Sequence, residues 1–171
     1  ENQSYINIAD QYEIRIHQEL TPEGGLPSIM LKTLEKQSCV NSYISNHTVF
    51  SEGKTQIFIN EILVEGECIS GSEYIDEEIK INPDRALQNL EIVVKDIIHN
   101  HGTIQSKDEE LELNLSNFDG LKFVKTHIYR IQPQMFWGSY SLNNTEIANQ
   151  ILQYMNEVDL HNSYTNGDYG W

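Results

Sequence analysis

Residues 38–68 read SCVNSYISNHTVFSEGKTQIFINEILVEGEC, and the conformation of this stretch decides the fold of the chain. Residues 54–64 (KTQIFINEILV) are rich in Ile, Phe and Val and alternate apolar with polar positions, the pattern of a half-buried strand. Residues 40–50 (VNSYISNHTVF) supply a second strand, and Ser51, Glu52 and Gly53 between them are turn-forming. A strand, a tight turn and a returning strand carry Cys68 back past Cys39, the approach that a disulfide requires. These are the only two cysteines. Paired, they close a loop that stabilises the fold by roughly 3 to 4 kcal/mol through chain entropy. The alternative is two separate thiols packed as small hydrophobes. A pair with none left over suits an oxidising compartment, which gives the expectation of a Cys39–Cys68 bridge and a secreted or periplasmic/cell-envelope location.

Upstream, residues 12–20 (YEIRIHQEL) set Tyr12, Ile14 and Ile16 on one face and Glu13, Arg15 and His17 on the other, a strand with one wet side. Residues 21–27 (TPEGGLP) hold two Pro and two Gly and read as a loop. Residues 29–36 (IMLKTLEK) suit strand or helix locally, and their place before another strand favours strand. The first ten residues are polar with scattered Ile, a tail or an irregular first strand. Downstream of Cys68, residues 69–71 turn the chain and residues 74–81 (YIDEEIKI) align Ile75, Ile79 and Ile81.

Residues 82–105 support two readings. As a helix the segment has Asn82 as cap, Pro83 at its first position, a stripe of Leu87, Leu90, Val94, Ile97 and Ile98, and Gly102 as terminator. As a hairpin, residues 90–95 (LEIVVK) and 101–105 (HGTIQ) are its arms, which the β-branched run Ile92, Val93, Val94 favours. Residues 111–118 (LELNLSNF) then alternate with Leu111, Leu113 and Leu115 inward. Asp119-Gly120 forms a tight turn to residues 121–131 (LKFVKTHIYRI), expected as the antiparallel partner. Phe136 and Trp137 offer large apolar area to plug one end of the core.

Residues 143–159 give one helix. Asn143 and Glu146 make a capping-box-like start, and Ile147, Ile151, Leu152, Met155 and Val158 form one stripe expected to dock on a sheet face or edge. The polar tail carries Tyr164, Tyr169 and Trp171, expected to lie back on the body. The whole is most simply a single domain over residues 1–171, with a mainly β body at about 10–140 and the helix and tail at 143–171.

Eleven Lys and Arg against 26 Asp and Glu give a net charge of −15, which opposes binding to nucleic acid or anionic lipid. A basic partner or bound cations are compatible with it, although solubility alone explains it. No apolar run approaches the roughly 18 residues of a membrane helix. A start at Glu1 without Met fits a cleaved signal peptide or any other trimming.

Chemical constellations are sparse. His99, His101 and His127 are candidate imidazole ligands for zinc or copper, but no Cys or carboxylate falls at a characteristic spacing, and polar residues on an exposed strand are the simpler reading. Neither cysteine has the nearby His of a blue-copper site. Asp76-Glu77-Glu78 and Asp108-Glu109-Glu110 lack the spaced Asp, Asn and Gly of a calcium loop and read as solvated faces. There is no Gly-x-Ser-x-Gly, and Ser70-Gly71-Ser72 lacks the strand-to-helix elbow. Four Asn-x-Ser/Thr sequons, at Asn2, Asn46, Asn114 and Asn143, matter only in a glycosylating host.

Residues 110–140 (ELELNLSNFDGLKFVKTHIYRIQPQMFWGSY), a following helix and a terminal Gly-Asp-Tyr-Gly-aromatic resemble a family of uncharacterised, secreted bacterial β-sandwich proteins. Its pattern runs from a strand and a Gly turn through an Arg-Ile-Pro-like element and a Trp-Gly pair to that tail, with one cysteine near the start of a hairpin and another after it. Here Gln132 separates Arg130-Ile131 from Pro133. The resemblance implies an immunoglobulin-like antiparallel β-sandwich with one C-terminal α-helix, favours the hairpin for the middle segment, and supplies no activity, since a fold does not carry a function.

No catalytic, cofactor-binding or metal-binding residue is therefore assigned. The expectation is a non-enzymatic binding or structural module acting on another protein or an envelope component, with an acidic inhibitor or immunity-type protein as alternative and a hydrolase of glycans or peptides as a weaker one.

Overall fold

A computed structural model describes residues 11–21, 24–81, 87–107, 109–131, 144–157 and 167–170. The chain is mainly β. Strands β1 (Tyr12–Thr21) and β2 (Gly24–Thr33) are antiparallel, β3 (Gln37–Cys39) is short, and β4 (Ser42–Ser51) and β5 (Lys54–Val64) form the hairpin expected from residues 40–64. Then come β6 (Ser70–Glu73), β7 (Asp76–Lys80), β8 (Leu87–Val94), β9 (Ile98–Ser106), β10 (Glu110–Leu115), β11 (Leu121–Lys125) and β12 (His127–Tyr129), before helix α1 (Thr145–Glu157). A four-stranded sheet has the order β11-β1-β2-β7 and a six-stranded sheet β12-β10-β9-β8-β5-β4, while β3 and β6 form a separate ribbon.

Period two sets the burial. On β1, Tyr12, Ile14 and Ile16 are buried; on β5, Ile57 and Ile59; on β8, Leu90, Ile92 and Val94; on β10, Leu111 and Leu113. These side chains of both sheets join one hydrophobic cluster that also holds Ile75, Ile79 and Ile81. The middle segment is a hairpin. Lys95 and Asp96 both have positive φ, the requirement of a type I′ turn, and the Ile97 N–H donates to the Val94 carbonyl at 3.2 Å. The helical alternative fails because its stripe is really one face of β8 and β9, with Leu90, Val94 and Ile98 buried and Leu87 and Ile97 exposed. Asn82 and Pro83 lie outside the described residues.

The disulfide Cys39–Cys68 is present, with Cα atoms 5.2 Å apart. It staples the β3–β6 ribbon, so Ser70–Glu73 is a strand where a simple turn was expected at residues 69–71.

Three further expectations are corrected. Residues 21–27 are not a loop: Gly24–Pro27 belong to β2, paired from Thr21↔Gly24 to Gln18↔Pro27. Their Gly and Pro serve the sheet. A Cβ on Gly25 would strike the Gln18 carboxamide, and pairing to β7 begins only at Ser28, so Pro27 owes no ladder donor on that side. Residues 121–131 are not one antiparallel partner for β10: β11 crosses to the other sheet and pairs parallel with β1, and only β12 returns to β10. The Gly120 carbonyl accepts from Gln11 N at 2.9 Å, which fixes the crossing point at the free edge of β1. Helix α1 forms, but its stripe stays in solvent. Ile147, Ile151 and Leu152 are 57, 44 and 53% exposed, Met155 is half-buried, and among the described residues of the helix only Ala148 is buried. Asn143, Val158, Phe136 and Trp137 lie outside the described residues. Among the described residues no helix is long and apolar enough to cross a membrane.

Residues 167–170 of the tail lie on the body. Buried Gln18 donates from Nε2 to the carbonyls of Tyr129 (2.6 Å) and Tyr169 (2.8 Å), while its Oε1 accepts from Ile131 N at 3.0 Å. Tyr129 N donates to Asp168 O at 2.7 Å, the Tyr129 and Tyr169 rings meet at 5.8 Å, and Gly170 (φ 69°) lies where a Cβ would press on Ile128. Tyr164 and Trp171 lie outside the described residues.

Two outcomes follow from these contacts. Replacing both cysteines by Ser lowers unfolding free energy by about 3 kcal/mol in urea titration, as loss of a loop of this length implies. Gln18→Leu leaves two carbonyls and one N–H unpaired in the interior, so it costs about 3 kcal/mol and exposes Tyr129 N–H to faster hydrogen exchange.

Candidate functional site

The outer face of the six-stranded sheet carries the chain's one concentrated polar cluster among the described residues. Register builds it. Val49, Gln56, Glu91 and His101 form one cross-strand row through β4, β5, β8 and β9, and His47, Phe58, Val93 and His99 form the next. Parallel pairing of β5 with β8 is what sets Gln56 beside Glu91.

Glu91 is the centre. It is only 6% exposed although it points away from the core. Lys54 Nζ lies 2.6 Å and Gln56 Nε2 2.8 Å from its Oε2, and His99 Nδ1 lies 2.8 Å from its Oε1. His101 Nδ1 stands farther off, at 4.0 Å. The Lys54 bond first, then the His99 bond, hold the Glu91 carboxyl down to about 2 against the upward push of burial. Glu91 is thus a carboxylate across the physiological range, and as an acceptor it requires the proton on His99 Nδ1.

Neighbouring side chains hold the backbone that carries the two imidazoles. Asn117 beyond β10 accepts from His101 N at 3.0 Å and donates to His99 O at 2.9 Å, and Ser116 Oγ donates to His101 O at 2.8 Å. Buried Asn100 between them donates inward to Asp119 O at 3.2 Å, so the alternation places both histidines outward, with ring centroids 6.4 Å apart. Beside them His47 stacks on Phe58 at 4.5 Å and 3°.

His127 does not join this group. It lies on β12 opposite Glu112, with Nε2 3.7 Å from Glu110, in a different cross-strand row. Among the described residues no group of three or more His, Cys, Asp or Glu is arranged to hold a metal ion. The acidic runs also stay apart, Asp76-Glu77-Glu78 on the four-stranded sheet and Glu110 on the six-stranded one. Ser70, Gly71 and Ser72 are exposed ribbon residues.

Sequence reading singled out His99 and His101 but not Glu91, Lys54 or Gln56. The available signal was a lone acid inside the run Leu90-Glu91-Ile92-Val93-Val94, which marks an outward position on a strand; its cation comes from a strand 37 residues earlier, counted as 91 − 54. No family model, curated protein or solved structure matches the chain.

Lys54→Met should move the Glu91 carboxyl back up towards its ordinary 4.5. In the wild type its stabilising contribution is complete above the unfolded value and is lost as pH falls towards about 2. In Lys54→Met the loss still begins at the unfolded value but ends at a higher pH, so the acid-dependent part of the stability shrinks, and stability near neutrality drops by about 1 to 2 kcal/mol, less than for a fully buried pair because Lys54 is 40% exposed. Urea titrations between pH 2 and 7 measure both effects.

Proposed function

We propose that this protein is a non-enzymatic binding module, an immunoglobulin-like sandwich of the secreted or periplasmic type, that engages a protein or envelope component through the outer face of its six-stranded sheet. The observation that carries this reading is the state of Glu91. Three donors occupy its oxygens and hold it ionised, so it has neither the proton of a general acid nor the free lone pairs and near-neutral pKa of a general base. Around it lie partly exposed Phe58, stacked His47 and outward His99 and His101, a flat surface of aromatic and imidazole groups on a rigid sheet, which suits contact with a macromolecule. The disulfide supports an oxidising compartment.

A second reading, an acidic inhibitor or immunity-type protein, is favoured by exposed Glu65, Glu67 and Glu73 around the disulfide-stapled ribbon together with the charge of −15. Association that weakens steeply with salt and is lost on reversing these three charges selects it.

Immobilised wild type and a Phe58→Lys/His99→Glu variant, each shown folded by circular dichroism, are compared for capture from envelope extract and culture fluid. The expected result is a ligand retained by the wild type and lost by the variant. Equal retention removes the outer face from the mechanism, and robust turnover in a broad hydrolase screen removes the non-enzymatic assignment.

A further inference from the structure

Two sheets present four edges, and three are closed to further pairing. Strand β12 is three residues long, with the Asp168 carbonyl of the tail already bound to its Tyr129 N–H. Strand β11 is five residues long and carries Lys122 and Lys125; β7 has the sequence DEEIK, with four charges in five residues. Short strands and edge charges are the ordinary defences against edge-to-edge association.

The fourth edge, β4, is neither short nor charged, and its one defence is a bulge between Ile44 and Asn46 that leaves residues 46–51 regular. Its ten residues, SYISNHTVFS, contain no Lys, Arg, Asp, Glu, Pro or Gly, in a chain with 26 acidic residues. Its second half is exposed, with Val49 and Phe50 at 43 and 52%. Among the described residues no other segment's backbone bonds to it outside the β4–β5 ladder, and at the bulge the Ile44 carbonyl accepts from Asn46 Nδ2 at 3.0 Å. A long, uncharged edge that exposes Val49 and Phe50 is a template for another extended strand.

We infer that β4 pairs with β4 of a second copy of this chain, antiparallel about a two-fold axis, to join the two six-stranded sheets into one. Charge selects this occupant. Across such an axis every β4 side chain faces an uncharged one, so self-pairing brings no like charges opposite each other. Over the regular residues 46–51 beyond the bulge, the pairing forms up to about six backbone hydrogen bonds about an axis between Thr48 and Val49 and, because it uses the same surface on both partners, closes at two. The charged and short edges elsewhere, with a net charge of −15 per chain, prevent growth beyond the dimer. This inference is independent of the ligand on the outer face.

Analytical ultracentrifugation of the wild type from micromolar to millimolar concentration is expected to show a mass twice that of the chain. Dimerisation strengthens with added salt, because screening removes repulsion between the two acidic bodies. Val49 is exposed and points off the sheet, so Val49→Lys and Val49→Glu retain the fold, checked by circular dichroism and melting temperature. Each weakens dimerisation by about a hundredfold through like charges beside the axis. Ile97→Lys, at the hairpin tip and 78% exposed, leaves the dimer intact. A monomer at every concentration overturns the proposal and leaves the edge to a strand from a different protein or to none. A mass that grows without limit, a dimer insensitive to both Val49 variants, or a dimer broken by Ile97→Lys also overturns it.

Discussion

The structure depends on the mutual burial of two sheet faces whose strands alternate strictly. A slip of one residue in β8 would turn Leu90, Ile92 and Val94 out and draw Asn89, Glu91 and Val93 in, exchanging three aliphatic side chains for one aliphatic, one amide and one charge in the interior. Each aliphatic side chain stabilises by about 1.5 to 3 kcal/mol when fully buried, and an unpaired buried carboxylate costs several more. The register is therefore strongly determined. Everything on the outer face inherits it, because the Glu91 cluster exists only while β5 and β8 run parallel with Gln56 opposite Glu91.

Where the alternation ends, polar side chains take over the fastening. Gln18 lies on β1 but bonds to Tyr129, Ile131 and Tyr169, so one carboxamide ties the first long strand, the end of β12 and the tail together. Asn117 plays the same part at the far end of β10, substituting side-chain amide for ladder bonds along residues 99–101. In both places an amide supplies a donor and an acceptor at once, which a strand end needs and a carboxylate or ammonium cannot provide. The charged residues are then left to the surface, apart from Glu91, which lies under its own cation.

What could be read from the sequence follows from the range of each signal. Residues 12–16, 54–59 and 111–115 betray their strands because period two is local, and the Cys39–Cys68 approach follows from a hairpin between neighbouring segments. Two of the corrections turn on contacts that no local pattern reveals. Gly24 and Gly25 look like a loop until Gln18 and Ile131 are known to crowd Gly25. Asp119-Gly120 looks like a hairpin turn because nothing nearby shows that β1 has a vacant edge more than a hundred residues upstream, the span from 12 to 121. The α1 stripe is real as a pattern, yet a pattern states only that a face is apolar, not that a vacancy awaits it. Glu91 was hidden because its neighbours belong to two other strands, Lys54 and Gln56 on β5 and His99 and His101 on β9.

The position of the disulfide separates two roles that a cysteine pair could have. Cys39 is partly exposed and Cys68 exposed, and neither belongs to the hydrophobic cluster. The bridge therefore does not substitute for a core too small to stand alone. It acts on the ribbon of β3 and β6, which has no buried aliphatic residue of its own and would otherwise rest on a few backbone bonds and on Asn41, whose Nδ2 donates to the carbonyls of Glu65 and Glu67. Such a two-stranded ribbon is marginal by itself. The covalent clasp thus holds in one shape a segment that exposes Glu65, Glu67 and Glu73, and it fixes the geometry of that acidic projection without adding to the packing of the two sheets.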